Sequence, residues 1–355
     1  MFLKSVHVKQ VRNLDSVEIK LAKGINFFQG LSGSGKTSIL ESIYVALRGK
    51  SFRARRLDKL IPLTKQVKPQ IDLVAISDSE ASYRIQFSLN DSAILIRINE
   101  RPLPRLSQLA RLVPVQFFGT SVAHSFFGMR QERSAFLDWG LFHVKHDFHD
   151  VLIQYNRCLK QRNEALKQNN HAVIKSFTGN LIQLANKLDE YRAEHIKDIG
   201  LTLCKLAQLD LELRYSRGWS VNRPLVEVLE SNLQTDIKRG FTSAGPHYCN
   251  IDLIKNNYSL IDYCSNGERK YFLLLLYLAQ IDLLANQTDN KPIFLLDDFD
   301  SEFSTDIQEL FLSTLKQKNI QCLITGNFST LELKRFSNSV FHVKHSKVST
   351  DSIGE

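Results

Sequence analysis

The chain has 355 residues, 43% hydrophobic and 23% charged, an ordinary globular composition with room for two domains or one domain carrying an insertion. The 46 Lys and Arg against 37 Asp and Glu leave a net charge of +9, which favours a polyanionic partner such as nucleic acid without requiring one. No uncharged apolar run reaches the ~18 residues of a membrane span, Lys4, Lys9 and Arg12 break up the opening where a secretory signal would be apolar, and the five scattered cysteines form no C-x-x-C pair. Membrane and secreted classes are excluded, and a cytoplasmic protein with reduced thiols is expected.

Residues 2–28 predict strands: Val6, Val8 and Val11, then Val17, Ile19 and Leu21, alternate with polar residues, and Ile25–Phe28 is a short apolar run ending at Gln29-Gly30. A glycine-rich loop follows, then a helix whose face is Ile39, Leu40, Ile43 and Leu47, with Gly49 placed to stop it. Residues 71–76, 82–89 and 93–98 alternate again, with a turn at Asn90-Asp91. From about residue 128 to 213 there is no proline and the period becomes helical. Leu152, Tyr155, Leu159 and Leu166 mark one helix and Asn169-Asn170 a turn. Ile174, Phe177, Leu181, Leu184, Leu188 and Tyr191 form a heptad seam that resumes at Ile196, Ile199, Leu203 and Leu206. The seam is too short for a long coiled coil and predicts an antiparallel helical arm packed within its own molecule. Strand patterning returns at 251–254 and 258–261, followed by an apolar helix over Tyr271–Leu284, a buried strand over Ile293–Leu296 and another over Gln321–Thr325. The expectation is an α/β nucleotide-binding head split by a helical arm: 1–122 as the first part of the head, 123–240 as the arm, 241–355 as the second part. The pentapeptide FHVKH occurs at Phe142–His146 and Phe341–His345, but its flanks do not match and no repeat is inferred.

Gly30 to Thr37 fits G-x-x-x-x-G-K-[ST] between a strand and an amphipathic helix, the context that motif requires. The loop Gly30, Gly33, Ser34 and Gly35 lets backbone N–H groups face phosphates at a helix N-terminus, with Lys36 reaching the β- and γ-phosphates and Thr37 and Ser38 opening the helix. Asp297 and Asp298 end the buried strand Ile293–Leu296. A buried carboxylate is costly unless paired or beside a metal, so Asp297 is expected to hold Mg²⁺ together with Thr37, and Asp298 to orient or deprotonate the attacking water. Catalysis is thus assigned to Lys36, Asp297 and Asp298, with ATP and Mg²⁺ as cofactors. Ser265-Asn266-Gly267-Glu268-Arg269-Lys270 lies 32 positions before Asp297 and fits S-x-G-x-x-[RK]. That is where ATP-binding-cassette proteins carry the signature loop that caps ATP bound by a second subunit, so Ser265 and Gly267 join the nucleotide-binding set and an ATP-dependent homodimer is expected. Gln116, between strand set and arm, is a candidate sensor of the γ-phosphate.

These motifs, with Val11-Arg12-Asn13-Leu14, the run Gly35–Tyr44, Ser51-Phe52-Arg53, the segment RQERSAFLDWGLFHV over 130–144, Lys160–Asn163 and Gly245-Pro246-His247, make the chain resemble the RecF family of SMC-like cassette ATPases along nearly its whole length. It departs from that family's usual pattern at Ser32, at Tyr248-Cys249-Asn250 and at Ser304. The resemblance implies an ABC/SMC-type ATPase head, weak DNA-stimulated ATP hydrolysis used as a switch, and a role in replication and recombinational repair. It further implies work at single-strand/double-strand junctions, where RecO and RecR are partners in loading RecA. Two alternatives stand beside it: an ATP-binding scaffold that has lost hydrolysis, and a transporter cassette. For DNA, the densest basic stretch supplies Arg48, Lys50, Arg53, Arg55 and Arg56, opposed only by Asp58, as sequence-independent phosphate contacts. Arg130, Arg133, Arg157, Lys160 and Arg162 of the arm are further candidates. His143, His146 and His149 share a helical face, but no carboxylate or thiolate completes a metal site, and a structural role is expected.

Overall fold

The computed structural model describes residues 1–62, 67–90, 93–207, 211–288, 290–328 and 335–350. The chain divides into two compact units. The first comprises Met1–His124, Asn266–Tyr277 and the chain from Leu284 on; the second comprises Ser125–Ser265 and Leu278–Leu283.

In the first unit the chain runs β1 (Phe2–Val11), β2 (Leu14–Lys20), β3 (Ile25–Gln29), α1 (Lys36–Arg48), β4 (Gln70–Ile76), β5 (Ser82–Asn90), β6 (Ala93–Ile98), β7 (Arg101–Pro102), α2 (Leu106–Leu112) and β8 (Val115–Phe118). Helix α3 (Thr120–Gly128) straddles the boundary. One sheet, in the order β2-β1-β4-β5-β6-β7, is antiparallel throughout. Its strands alternate because one face is buried and the other wet, as the spacing of Val6, Val8 and Val11 requires. The Asp91 half of the expected turn lies outside the described residues.

The second unit contains α4 (Arg130–Val144), α5 (Phe148–Lys167), α6 (His171–Ala207), β9 (Leu211–Ser216), α7 (Leu225–Ser231), α8 (Leu233–Arg239), β10 (Asn250–Lys255), β11 (Tyr258–Ser259) and α9 (Leu260–Tyr263). Helices α5 and α6 form an antiparallel hairpin about Asn169, whose φ is 50°. Pairs at Lys187–Asp147, Cys158–Phe177 and Arg162–Thr178 fix its direction. The seam residues Ile174, Leu181, Leu188, Ile196, Ile199 and Leu203 are buried, each contributing roughly 1.5–3 kcal/mol. Strand β10 pairs with β9 and β11 in a three-stranded sheet. Residues 241–265 are therefore part of this unit, not of the head as the expected boundary at 241 had it. Ser259 caps α9 by accepting the Ile261 N–H (3.3 Å), which turns the expected strand at Leu260-Ile261 into a helix.

Helix α10 (Asn266–Gln287) starts five residues ahead of Tyr271, because its first turn is polar and exposed and carries no apolar period. Beyond it lie β12 (Ile293–Leu296), α11 (Phe299–Glu302), α12 (Thr305–Lys318), β13 (Cys322–Gly326), β14 (Ser339–Lys344) and β15 (Lys347–Thr350). The second large sheet is ordered β15-β14-β3-β13-β12-β8, parallel except for β15. β8, β12 and β13 are buried at every residue, which is why they read as continuous apolar runs. The parallel order brings the carboxyl ends of β3, β13 and β12 to one edge, where open α/β sheets place their ligand sites.

Candidate nucleotide site

The loop after β3 is shaped by its glycines. A Cβ on Gly30 would collide with the Val343 carbonyl oxygen of β14. Gly35, the N-cap of α1, holds φ at 114°, where an L side chain is strained and would press on Leu14. Lys36 is buried, its ammonium donating to the loop carbonyls of Gly30 (2.5 Å) and Leu31 (3.2 Å). Ser34 Oγ is buried with no hydrogen-bond partner among the described residues. Asn13, in the β1–β2 turn, clips the loop from outside: it accepts from Ser38 Oγ (2.9 Å) and donates to Gly33 O (3.4 Å) and Ser346 Oγ (3.1 Å). The Ser346 N–H in turn donates to Ser34 O at 3.0 Å.

Asp297 follows β12 and faces this loop. Its Oδ1 accepts from Thr37 Oγ1 (3.0 Å) and from Thr325 Oγ1 (2.7 Å), the latter at the end of the intervening strand β13. Burial pushes the Asp297 carboxyl above its ordinary range and the neighbouring Asp298 adds to this, while the two hydroxyl bonds and the charge of Arg53 pull the other way. Asp298 is exposed and left-handed (φ 53°, ψ 43°), and its N–H donates to Thr325 Oγ1 at 2.9 Å. A non-glycine residue held there stores about 1–3 kcal/mol of strain, a cost that collects at functional sites. Local patterning reads Thr325 as strand propensity, a threonine ending a buried strand; the resemblance to the RecF family, which the Thr325 strand end also fits, is the signal that singles it out.

Gln116 is not brought to this edge. It lies inside β8, opposite Phe294 and two residues short of the strand end, about 7 Å back along the sheet. It also shares a face with Phe118, whereas the alternate residue Phe117 stacks on Phe52 and meets Tyr44 of α1. Ser265 and Gly267 stand at the exposed start of α10, where a Cβ on Gly267 would meet nothing within 4 Å.

The basic stretch is less uniform than its sequence. Lys50, Arg55 and Arg56 are exposed, with Arg56 bridging Asp58 at 2.7 Å; Arg48 is half-buried in the last turn of α1. Arg53 reaches Glu41 on α1 (3.4 Å), a carboxylate with no solvent exposure, while its own side chain stays 44% exposed. Glu41 also accepts two bonds from Arg12 (3.0 and 2.8 Å) and one from Ser51 Oγ (2.5 Å). Sequence reasoning passed over Glu41; the signal was one carboxylate set among the apolar residues of α1. In the second unit Arg162 is buried against Asp236 (3.2 Å), Arg133 is buried with Asn250 (2.6 Å), and Arg130 donates to His247 O (2.5 Å). These three tie the unit together, and burial keeps Arg133 and Arg162 from a DNA surface; Arg130 is half-buried, and Arg157 and Lys160 are exposed. His143 packs on Trp139 and Phe142, and His149 on Phe142.

Residues 2–349 match the family described as RecF/RecN/SMC N terminal domain. The chain is 32% identical over 368 positions to the DNA replication and repair protein RecF of Pseudoalteromonas translucida (strain TAC 125), covering 99% of this chain and 100% of that one. It is 28% identical over 357 positions to the like-named protein of Vibrio cholerae serotype O1 (strain ATCC 39541 / Classical Ogawa 395 / O395), covering 97% and 98%. Among solved structures, the recombination mediator protein RecF with ATP, of the RecFOR pathway, superposes with a TM-score of 0.85 at 22% identity over 99% of this chain and 98% of that one. An SMC head bound to the C-winged helix domain of ScpA gives 0.62 at 14% identity over 99% and 98%. The fold is that of an α/β ABC/SMC-type ATPase head with a helical insert. On the full-length family match and the identity to its relatives, this chain belongs to the RecF family.

Proposed function

We propose that this chain is an ATP-dependent DNA-binding protein of DNA replication and recombinational repair. The observation that carries the reading is the meeting of Thr37 and Asp297 beside the glycine loop. The residues there fit a nucleoside triphosphate with Mg²⁺. Ser34 Oγ is a buried polar atom without a partner among the described residues, and Lys36 donates to carbonyls of its own loop, which phosphate oxygens would replace. Thr37 and Asp297 supply the hard oxygen ligands that Mg²⁺ takes. When bound, the metal–nucleotide supplies an electrophilic terminal phosphate whose charge is already partly neutralised. Lys36 would turn its ammonium from the Gly30 and Leu31 carbonyls onto the β- and γ-phosphate oxygens. Asp298 would orient the attacking water and accept its proton. Ser265 and Gly267 would reach the nucleotide of a second copy, making the bound state an ATP-dependent homodimer.

The name carried by the relatives supports the assignment to replication and repair, and that of the ATP-bound neighbour supports ATP and partners of the RecFOR pathway, RecO and RecR. On this reading DNA is held without sequence preference at gaps and junctions, RecA loading follows, and slow DNA-stimulated hydrolysis releases the dimer. A second reading, ATP binding without turnover, is favoured by one observation: Ser304, at the N-cap of α12, makes no side-chain capping bond and stands where the family usually has aspartate.

Sedimentation with Mg²⁺ alone, with ATP, and with ATP plus DNA tests the proposal in wild type and Ser265→Arg. ATP-dependent dimers that the variant loses are expected; a monomer in every condition removes the shared-site mechanism. Steady-state phosphate release separates the two readings. Wild-type turnover well above that of Asp298→Asn supports the switch, and turnover equal to that variant supports the scaffold. Asparagine accepts the left-handed backbone at 298, so the substitution changes the acid and not the fold.

A further inference from the structure

We infer that the cleft between α5 and the end of α8 is a docking site for an acidic peptide segment bearing an apolar anchor side chain. The cleft has a volume of about 360 Å³, enough for one or two side chains and in the range of ligand pockets. It lies wholly in the second unit, which carries no part of the phosphate loop. One stripe of α5 forms its wall, with lining residues spaced by three and four from Asn156 to Lys167. Gly240 caps α8 in the left-handed conformation (φ 73°) and sets Phe241 opposite that stripe, 40% exposed. Leu159, partly buried, and Phe241 thus offer apolar contact that no described segment covers.

The rim is cationic. Lys160 and Arg239 line the cleft and make no ion-pair contact among the described residues, although Lys160 lies within electrostatic reach of Glu164 one turn on. Lys167 is held only by Glu164 (2.9 Å) in a bridge whose two side chains are 58% and 54% exposed, a pair of small worth that a ligand carboxylate can replace. Asn163 takes both Thr242 donors on its Oδ1 (2.9 and 2.7 Å), leaving its amide N–H₂ as a donor. The lining is therefore rich in donors and positive charge over an apolar floor, which complements carboxylates flanking an apolar residue. A nucleic-acid backbone fits less well. It offers a polyanion with no apolar side chain for Leu159 and Phe241 and is repelled by Glu164 in the lining, where a peptide can place its apolar residue.

The probe is a fluorescein-labelled peptide of alternating glutamate and leucine ending in phenylalanine, titrated by anisotropy against the full chain. Its lysine-for-glutamate counterpart and a labelled oligothymidylate serve as comparisons. Saturable binding of the acidic peptide and none of the basic one is expected. Lys160→Glu combined with Arg239→Glu should weaken binding about tenfold or more, and Phe241→Ala about fivefold or more, with unchanged thermal melting. Phe241→Ala truncates an exposed ring and decides the matter alone if the charge reversal unfolds the chain. Absence of binding to wild type, or binding that these variants leave untouched, overturns the inference. So does oligothymidylate binding lost on charge reversal without peptide binding, which would make the cleft a nucleic-acid surface.

Discussion

Glu41 shows how much one buried carboxylate can organise. It lies one helical turn beyond Thr37 and gathers Arg12, Ser51 and Arg53 onto the helix that begins at the phosphate loop. Glu41→Gln keeps the shape and removes the charge, leaving two guanidinium groups short of their counter-ion. Because Arg12 and Arg53 are already 23% and 44% exposed, a loss of about 1–2 kcal/mol in denaturant unfolding is expected; a neutral result would mean that both reach solvent at no cost. Asp297→Asn should act in the opposite sense on the nucleotide-free chain. Because burial raises the Asp297 pKa, its favourable contribution is fully present only at low pH and is lost as pH rises through the folded value, so at pH 7 the ionised group carries a cost. The amide should leave the melting temperature unchanged or higher while abolishing Mg²⁺-dependent phosphate release, and a clear drop in melting temperature would contradict this. The loop from Gly30 to Thr37 could be read in advance because its chemistry is local, eight residues with their flanks. Glu41 could not, since its partners lie 29 positions upstream and up to 12 downstream. Nothing in the spacing of Arg53 shows that its guanidinium reaches back to α1.

Among the elements, FHVKH is the plainest case of context deciding conformation. At Phe142–His146 it closes α4, while at Phe341–His345 it is β14 running beside β3. The long arm helices were legible because their period repeats over many turns. β8, β14 and β15 were not, being four to six residues long; β8 and β14 pair with strands far away in sequence, and among the described residues β15 pairs only with β14. The arm's interior is equally opaque to pattern, since Arg162 and Asp236 are 74 positions apart and both lack exposure. Arg162→Met should cost about 3–5 kcal/mol by stranding Asp236, and a cost under 1 kcal/mol would show that Ser243 alone satisfies that carboxylate. His195 gives the same unit a pH response. Its ring is buried beside Gly140, Nε2 has no partner among the described residues, and burial depresses its pKa to about 4. A depressed histidine contributes stability above its unfolded pKa of ~6.5, lost as pH falls toward 4, up to about 3 kcal/mol. Both tryptophans, Trp139 and Trp219, lie in this unit, so their fluorescence should follow the loss in wild type, and His195→Gln should flatten it. Equal slopes in the two proteins would assign the acid sensitivity to other groups.

For the whole molecule, the charge of +9 sets the terms of DNA binding. Arg53, 44% exposed, also serves Glu41, which leaves Lys50, Arg55 and Arg56 as the exposed cations of the basic stretch that can be removed without disturbing that carboxylate. Replacing these three by alanine should weaken binding alike for unrelated duplex sequences and make the slope of log affinity against log salt shallower by about 0.9 for each phosphate no longer neutralised. An unchanged slope would send the search for the DNA surface elsewhere.

Helix α10 carries a different kind of constraint. Its ends, Asn266–Tyr277 and Leu284–Gln287, belong to the first unit, while Leu278–Leu283 belong to the second, where Gln280 donates to Phe136 O at 2.9 Å. Each residue added to or taken from a helix turns everything beyond it by about 100°. One codon gained or lost between 278 and 280 would therefore swing Gln280 away from Phe136 relative to the helix residues before it. A loop can absorb an added residue in place; along these 22 residues an added residue re-aims every side chain beyond it, so length is as much a part of the helix's specification as identity.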